Sequence, residues 1–374
     1  MAAETEHNSE DGEIDFVSLG MFIIDQIDFR APTPSVYNVI GGAGTYSAIG
    51  ARIMSPGSLS KRVGWIVDAG SDFPPELRQL IASWNTGCLL RETPERLTTR
   101  GWNGYGENEH RGWSWPAHFR QPLNGPIAFK YTTPKLRLDH NSPDSKLLSS
   151  KSFHLICGPA RCVELVSGIM RRREQLRIST AKDHRPVFVW EPVPDMCQPS
   201  ELQACFEALQ HVDMVSPNHA ELCGFFAEEP HDGNGNIASH TIEKCCKALL
   251  ASPKNETTHL RAVIVRAGKD GCVVATTGTT AWLPAYHQQA SRVIDATGGG
   301  NTFLGGFTIS LARAGGFELK DIRKAVIDGA VSASFAIEQV GMPVLTSHGD
   351  MRESWNDDSV QARVAELSKR TPDL

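Results

Sequence analysis

Three consecutive glycines at residues 298–300 stand between Asp295 and Asn301. They follow an apolar run, 292–294, that we interpret as a short strand, and they precede an apolar-periodic segment, 301–314, that predicts a helix. Without Cβ atoms, their backbone N–H groups can converge on one point, and a helix N-terminus adds partial positive charge there. The stretch therefore predicts an anion-binding loop, although a triple glycine alone is more often a tight connection.

A carboxylate lies near the amino terminus, at the far end of the apolar run 14–24. We interpret this run as a first strand that leads into a turn carrying Asp25. A carboxylate can accept hydrogen bonds from two vicinal hydroxyls, which would suit a polyhydroxylated ligand. The alternative is an aspartate that only caps a turn.

A second glycine turn, Gly41 and Gly42, opens a helix of small residues that includes Thr45 and Tyr46. Glycines at such a turn let a ligand approach the backbone closely. The aromatic ring of Tyr46 would either stack on a flat or apolar ligand group or pack half-buried against the protein.

Two further motifs follow apolar strands. Asn218 and Glu221 have the spacing that places both side chains on one face of the first turn of a helix, although the same pattern can be a simple helix cap. Arg266, Gly268 and Gly271 form a predicted hairpin turn, which is a common connection in itself.

The elements that position these motifs alternate regularly from residue 152 onward. Short apolar runs separated by helical segments of ten or more residues indicate right-handed βαβ units and a parallel sheet covered on both faces. The predicted strands are 153–157, 187–190, 212–215, 262–265, 272–275 and 281–285. The predicted helices are 158–178, 199–209, 241–250, 301–314 and 319–339.

Taken in order from Asp25 to Gly341, these motifs resemble the ribokinase-like (PfkB) family of sugar and nucleoside kinases, whose signature is Asp-Thr-Thr-Gly-Ala-Gly-Asp. The resemblance implies an α/β fold with a doubly wound, mostly parallel sheet flanked by helices and a small β-type lid. It also implies ATP-dependent phosphoryl transfer to a hydroxyl of a small sugar-like or nucleoside-like molecule. The run 190–192, together with 216–218 and 300–301, further resembles a fungal subgroup associated with maintenance of a killer double-stranded-RNA virus.

The resemblance implies a role for each matched position. Residues at the phosphoryl-transfer centre would be Gly298, Gly299, Gly300 and Asn301. Residues facing the acceptor substrate would be Asp25, Gly41, Gly42, Thr45 and Tyr46. Residues at the nucleotide would be Asn218, Glu221, Arg266, Gly268 and Gly271. Mg²⁺ would be held through water by Glu221, and a monovalent cation such as K⁺ would lie at Asp295, Thr297 and the turn at Gly341.

The chain departs from the family at Ala43, Tyr46, Arg266 and Asn301. The family carries its catalytic aspartate where this chain has Asn301, and an amide has no basic lone pair at neutral pH. Losing a general base costs about 10²- to 10⁴-fold in rate. Three hypotheses follow: a weakened kinase, a catalytically reduced protein that binds nucleotide or metabolite for regulation or assembly, and a binding protein that no longer takes ATP.

The predicted domain organisation is a disordered acidic lead, 1–13, a ribokinase-like domain, 14–350, and a carboxyl-terminal helix or tail, 351–374. The resemblance implies that parts of 20–40 and 89–120 build the lid. Long aromatic-rich loops such as the one within 89–120 are uncommon in compact domains unless they act as lids or binding loops. The same tryptophans would suit a subunit interface, so we expect a monomer or a homodimer through the lid.

Composition excludes several other classes. The formal charge of −6 gives no basic field for nucleic acid, and the arginines at 171–173 are interpreted as a solvated helix face. We find neither an apolar run near 18 residues nor a secretory signal, so we expect no membrane span and a cytoplasmic location, with the nucleus as an alternative. Nine cysteines without a Cys-x-x-Cys pair indicate reduced, mostly buried thiols rather than a zinc site. Neither a P-loop nor a Gly-x-Gly-x-x-Gly motif is present.

Overall fold

A computed structural model describes residues 13–29, 32–104, 129–178, 185–252, 258–348 and 352–374. The strands in these ranges, numbered along the chain, are β1 (Phe16–Ser18), β2 (Ile23–Asp28), β3 (Val36–Gly41), β4 (Val63–Gly70), β5 (Gly87–Thr93), β6 (Arg100–Gly104), β7 (Phe129–Tyr131), β8 (Ser152–Cys157), β9 (Val187–Pro192), β10 (Met214–Val215), β11 (Ala262–Arg266), β12 (Cys272–Ala275), β13 (Thr280–Leu283), β14 (Leu345–His348) and β15 (Arg352–Trp355). The helices are α1 (Ala43–Ile53), α2 (Pro75–Ser83), α3 (Ser145–Leu148), α4 (Pro159–Gln175), α5 (Leu202–Leu209), α6 (His219–Phe225), α7 (Ser239–Leu250), α8 (Gly299–Ala314), α9 (Leu319–Ala336) and α10 (Val360–Arg370).

The main sheet has nine strands in the order β13-β12-β11-β10-β9-β8-β1-β4-β5. Its seven strands from β11 to β5 are parallel, and β12 and β13 are antiparallel at one edge. The predicted doubly wound, mostly parallel sheet is therefore confirmed. Because β9, β10 and β11 are neighbours in it, the loops at their carboxyl ends meet at one edge, where α/β proteins bind ligands.

Both faces of the sheet are covered by helices, since the residues of each strand alternate between two apolar layers. In β9, Phe188 packs with α4, α5 and α7 on one face, and Val189 packs with α8 and α9 on the other. The carboxyl-terminal elements belong to the second face, because Trp355 of β15 and Leu367 of α10 are buried in it. None of the helices in the described ranges is long and apolar enough to cross a membrane.

A second sheet of four strands, in the order β3-β2-β6-β7, forms the small β-type lid expected from the resemblance. Asp25 lies within β2, so the prediction that it stands in a turn after the first strand is wrong. The physical reason is that the chain breaks earlier, after β1, and re-enters an extended conformation at Ile23 to pair with β3 and β6. Most of the tryptophan-rich segment, from residue 105 to 120, falls outside the described residues, as does the acidic lead up to residue 12.

Two other sequence interpretations are wrong. Residues 292–294 are not a strand: a 3-10 turn, Ala290–Arg292, leads into exposed Val293 and Ile294, which have no strand partner among the described residues. The helix after them begins at Gly299 rather than at residue 301.

The arginines at 171–173 are not a uniformly solvated face either. Arg173 is 6% exposed, and its guanidinium donates to the backbone oxygens of Leu148 and Ser150. A helix with an apolar stripe can bury an arginine in this way when neighbouring carbonyl groups accept its hydrogen bonds.

Candidate active site

The triple-glycine loop ends at the N-terminus of the 16-residue helix α8, and Gly298 occupies the cap position with φ of 74°. This left-handed conformation is one that glycine adopts without strain. Within the described part of the chain, Gly299 N–H donates to Ala296 O, but the backbone N–H groups of Gly298, Gly300 and Asn301 have no acceptor. These donors and the helix dipole together make an arrangement suited to a phosphate or another anion.

The guanidinium of Arg266 lies directly beside this loop. A Cβ added at Gly300 would come within 2.1 Å of Arg266 Nη1, so glycine is needed here for close approach. Arg266 ends β11 and is 8% exposed; it contacts Glu191 Oε1 at 2.9 Å and Glu221 Oε2 at 3.3 Å, and donates to Ser216 O at 2.9 Å. One cation is thus held by two buried carboxylates beside the N-terminus of α8.

Asn301 is fixed by Glu191, a residue at the carboxyl end of β9. Asn301 Nδ2 donates to Glu191 Oε2 over 2.8 Å. Burial alone would raise the pKa of Glu191, but the charge of Arg266 and the contacts with His154 and Asn301 outweigh it, so this pKa lies below its usual value. Glu191 is therefore ionised at neutral pH.

His154 completes the cluster from the middle of β8. Its Nε2 lies 3.1 Å from Glu191 Oε2, and its Nδ1 lies 2.6 Å from Ser47 Oγ of α1. One ring nitrogen thus faces the carboxylate and the other faces the Ser47 hydroxyl, which can donate or accept. The side chains of His154 and Ser47 are completely buried, so the imidazole is a fixed neighbour of the Glu191 carboxylate.

Asn218 and Glu221 occur at the start of α6 as a capping box. Glu221 N–H donates to Asn218 Oδ1 at 2.8 Å, and Asn218 N–H donates to Glu221 Oε2 at 2.7 Å. Burial raises the pKa of Glu221 to about 7, with Arg266 opposing this shift and the charge of Glu191 adding to it. Asn218 and Glu221 therefore form the helix cap that was the alternative interpretation. Glu221 also contacts Arg266.

Asp25 lies between two glycines that leave space for its carboxylate. A Cβ at Gly41 would be 2.0 Å from Asp25 Oδ2, and a Cβ at Gly101 would be 2.5 Å from Oδ1. Asp25 is 8% exposed. Thr45 Oγ1 donates to Gly41 O at 2.8 Å and stabilises the turn that leads into α1.

Tyr46 connects the two glycine turns. A Cβ at Gly298 would lie 2.3 Å from the Tyr46 ring, and Tyr46 is 4% exposed. Of the two interpretations, the ring therefore packs against the protein, at the triple-glycine loop, and it is more deeply buried than expected. Since α1 packs tightly on α8, this contact brings Gly42 and the Asp25 strand to the same edge of the molecule as Asn301.

The remaining sequence-predicted residues lie in turns nearby. Gly268 and Gly271, with φ of 58° and 84°, enclose the 3-10 turn that joins β11 to β12 directly after Arg266. Asp295 is buried, and its Oδ1 accepts from Thr297 N–H at 2.9 Å. Gly341, with φ of 86°, lies in the turn after α9, and the preceding Ile337 O accepts from Ile294 N–H at 2.8 Å, which ties this turn to the Asp295 loop.

Sequence reasoning missed Glu191, His154 and Ser47 as members of the site. A signal was available for Glu191, because it is the single charged residue at the end of an apolar parallel strand, where ligand-binding groups gather. His154 and Ser47 are polar residues inside apolar elements and carried no comparable signal.

The pfkB family carbohydrate kinase model matches residues 162–344. Protein MAK32 of Saccharomyces cerevisiae is 33% identical over 91% of this chain and 88% of its own length. An uncharacterized protein of Schizosaccharomyces pombe is 31% identical over 95% of this chain and 92% of its own length.

Solved structures show the same fold at low identity. Ribokinase from Giardia lamblia superposes with a TM-score of 0.63 at 16% identity and covers 88% of this chain and 95% of its own. A putative ribokinase II from E. coli, in complex with ATP and Mg²⁺, has a TM-score of 0.60 at 15% identity and covers 96% and 99%. The chain therefore belongs to the PfkB family of carbohydrate kinases and groups with Protein MAK32 in an outlying branch of it.

Proposed function

We propose that this protein transfers the γ-phosphoryl group of ATP to a hydroxyl of a small sugar-like or nucleoside-like molecule. One observation carries the proposal: the N–H groups of Gly298, Gly300 and Asn301 at the start of α8 have no acceptor among the described residues, and the Arg266 guanidinium is held beside them. Donors fixed before the reaction suit phosphoryl transfer, because positioning and charge neutralisation carry most of that catalysis.

The residues at this edge fit a metal–nucleotide complex. Both hydrogen bonds of the Glu221 carboxylate use Oε2, so Oε1 would accept from a water bound to Mg²⁺. ATP bound with Mg²⁺ would supply the phosphoryl group and an ADP leaving group. Asp295 and Thr297 would hold a monovalent cation such as K⁺ behind the loop, as the family resemblance implies.

The protein's own groups would then act as follows. Asp25 accepts hydrogen bonds from acceptor hydroxyls, and Asn301 orients the reacting one. As the new P–O bond forms and the bond to ADP breaks, the amides of the loop and Arg266 stabilise the charge on the phosphoryl oxygens. The hydroxyl proton leaves to solvent, since Asn301 cannot take it.

The first test is ADP release. Full-length protein with ATP and Mg²⁺ is incubated with D-ribose, D-fructose, adenosine and inosine, and calorimetry measures ATP affinity in parallel. We expect ATP to bind and one acceptor to raise ADP release above hydrolysis in water. Absence of nucleotide binding would contradict the proposal and would favour a binding protein that no longer takes ATP.

A second candidate function is nucleotide or metabolite binding for regulation or assembly. It is favoured by the bond from the Asn301 amide to Glu191, which leaves an amide where the family has its base. ATP binding with no ADP release on any acceptor would support this candidate over the kinase.

A further inference from the structure

The orientation of the Asn301 amide follows from the chemistry of its partner. An ionised carboxylate is only an acceptor, so the Asn301 NH₂ group must face Glu191 Oε2, and the carbonyl oxygen must face the other way. Asn301 Oδ1 has no hydrogen bond within the described ranges, and the residue is partly exposed at the start of α8. The group presented to a ligand is therefore an oxygen acceptor.

Glu191 cannot itself serve as the missing base. Its Oε1 contacts Arg266 Nη1 at 2.9 Å, while its Oε2 accepts from Asn301 and lies 3.1 Å from His154 Nε2. Arg266 and Asn301 thus hold a carboxylate that is 5% exposed, and the buried His154 ring lies against it. A carboxylate so fully engaged is a fixed anchor rather than a proton acceptor.

We propose that Glu191 is the positioning residue of this site: it locks the Asn301 amide so that Oδ1 accepts the hydrogen bond of the acceptor hydroxyl. The inference rests on the proposed kinase function and assigns a role that sequence reasoning did not give to Glu191. In this chain the acid is at residue 191 and the amide at residue 301. A protein with a catalytic carboxylate at residue 301 and an amide at residue 191 would have the reverse arrangement.

The reverse arrangement can be tested by exchanging the two groups. The single change Asn301→Asp places a second carboxylate 2.8 Å from Glu191, where like charges repel. The exchange variant, Glu191→Gln with Asn301→Asp, restores one hydrogen bond and keeps the net charge, because the new Gln side chain can donate to the carboxylate and accept from Arg266. The same Gln NH₂ group would face His154 Nε2, which can accept from it in the tautomer that donates from Nδ1 to Ser47 Oγ. The exchange variant should therefore be more stable than Asn301→Asp, in which two carboxylates repel each other.

The chain contains a second cluster of the same side-chain types in the turn after α9. Asn356 Nδ2 donates to Glu338 Oε2 at 2.9 Å, and Glu338 Oε1 contacts Arg363 Nη2 at 2.9 Å and His287 Nε2 at 3.0 Å. The residue types are the same as at the site. Asn356 Nδ2 also donates to Phe335 O at 3.0 Å, and Ile337, next to Glu338, accepts from Ile294 N–H of the Asp295 loop. The exchange Glu338→Gln with Asn356→Asp is therefore a comparison for the unfolding midpoint and not for turnover.

The experiment measures kcat and KM from ADP release, and the unfolding midpoint in denaturant, for wild type, both single variants and the exchange variant. For the exchange at Glu338 and Asn356, only the unfolding midpoint is compared. We expect Glu191→Gln to lower kcat about tenfold with KM for ATP within twofold, because the amide loses its fixed orientation. We expect Asn301→Asp to be less active and less stable than wild type, and the exchange variant to regain stability and exceed wild-type kcat about tenfold or more.

Two results would overturn the inference. One is Asn301→Asp alone matching the kcat of the exchange variant; the other is strictly additive changes in the unfolding midpoint, which would mean that the two side chains do not interact. If wild type releases no ADP with any acceptor while the midpoints remain non-additive, the kinase function fails but the Glu191 lock on the amide is supported.

Discussion

Asn301 and Glu191 are 110 positions apart in the sequence, yet the amide of the first donates to the carboxylate of the second over 2.8 Å. This bond joins the start of α8 to the end of β9, beside the cation Arg266. Asn301, the residue that the sequence comparison with the family motif marks as a departure, thus has a defined carboxylate partner in the structure. The consequences for neighbouring residues can be measured separately.

Gly300→Ala should weaken ATP binding at least tenfold. The new Cβ would lie 2.1 Å from Arg266 Nη1, and the guanidinium cannot move without leaving Glu191 and Glu221. Calorimetric titration with ATP and Mg²⁺ measures the effect. Gly278→Ala is the matched control, since a Cβ there meets nothing within 4 Å, and it should bind as wild type does. Equal affinities for the two variants would contradict the close approach.

Arg266→Met should destabilise the fold by about 3–5 kcal/mol, because it leaves two buried carboxylates without their cation. The free energy of unfolding in denaturant is the measurement. Adding Glu191→Gln should recover part of the loss by removing one of the charges. A loss below about 1 kcal/mol would mean that the pair is solvated rather than buried.

Asp25→Asn should raise KM for the acceptor about tenfold or more and leave KM for ATP nearly unchanged, since it removes a charged hydrogen-bond acceptor from the lid strand β2. The isosteric amide fits the space between Gly41 and Gly101. Steady-state kinetics with each substrate varied in turn would separate the two constants. A rise confined to ATP would place Asp25 at the nucleotide instead.

The pH dependence of stability should carry the signature of Glu221. Its pKa rises from 4.5 to about 7 on folding because burial favours the protonated form. Its stabilising contribution is therefore complete below pH 4.5 and is lost as the pH rises to about 7. Relative to Glu221→Gln, wild type should lose free energy of unfolding across this window. A constant difference between the two proteins would disprove the shift.

Much of the scaffold was predictable because strands buried on both faces are continuous apolar runs. Strand β12, Cys272–Ala275, was predicted with its observed bounds. The lid strand β2 was not predicted from the sequence. An aspartate after an apolar run suggests a turn, and the pairing of β2 with β3 and β6 is visible only in the structure. The strand predicted at 292–294 is absent. Its β-branched residues, Val293 and Ile294, favour strands, but they lie exposed and have no strand partner among the described residues.

Some features of the candidate site could also be predicted from the sequence, and others could not. The glycine loop was predictable, since its chemistry is local: a left-handed cap at Gly298 and close approach at Gly300. The pair of Asn301 and Glu191, and the place of Arg266 between two acids, depend on strands that the sheet brings together from distant positions. No local pattern contains that information.

The most direct test of the central claim is hydrogen exchange at residues 298–301. Full-length protein is compared alone, with AMP, and with a non-hydrolysable ATP analogue plus Mg²⁺, and amide exchange is followed by mass spectrometry. We predict that the triphosphate slows exchange at this segment and that AMP does not, because the open N–H groups would bind the terminal phosphoryl oxygens. Binding of the analogue with unchanged exchange at these amides would contradict the account.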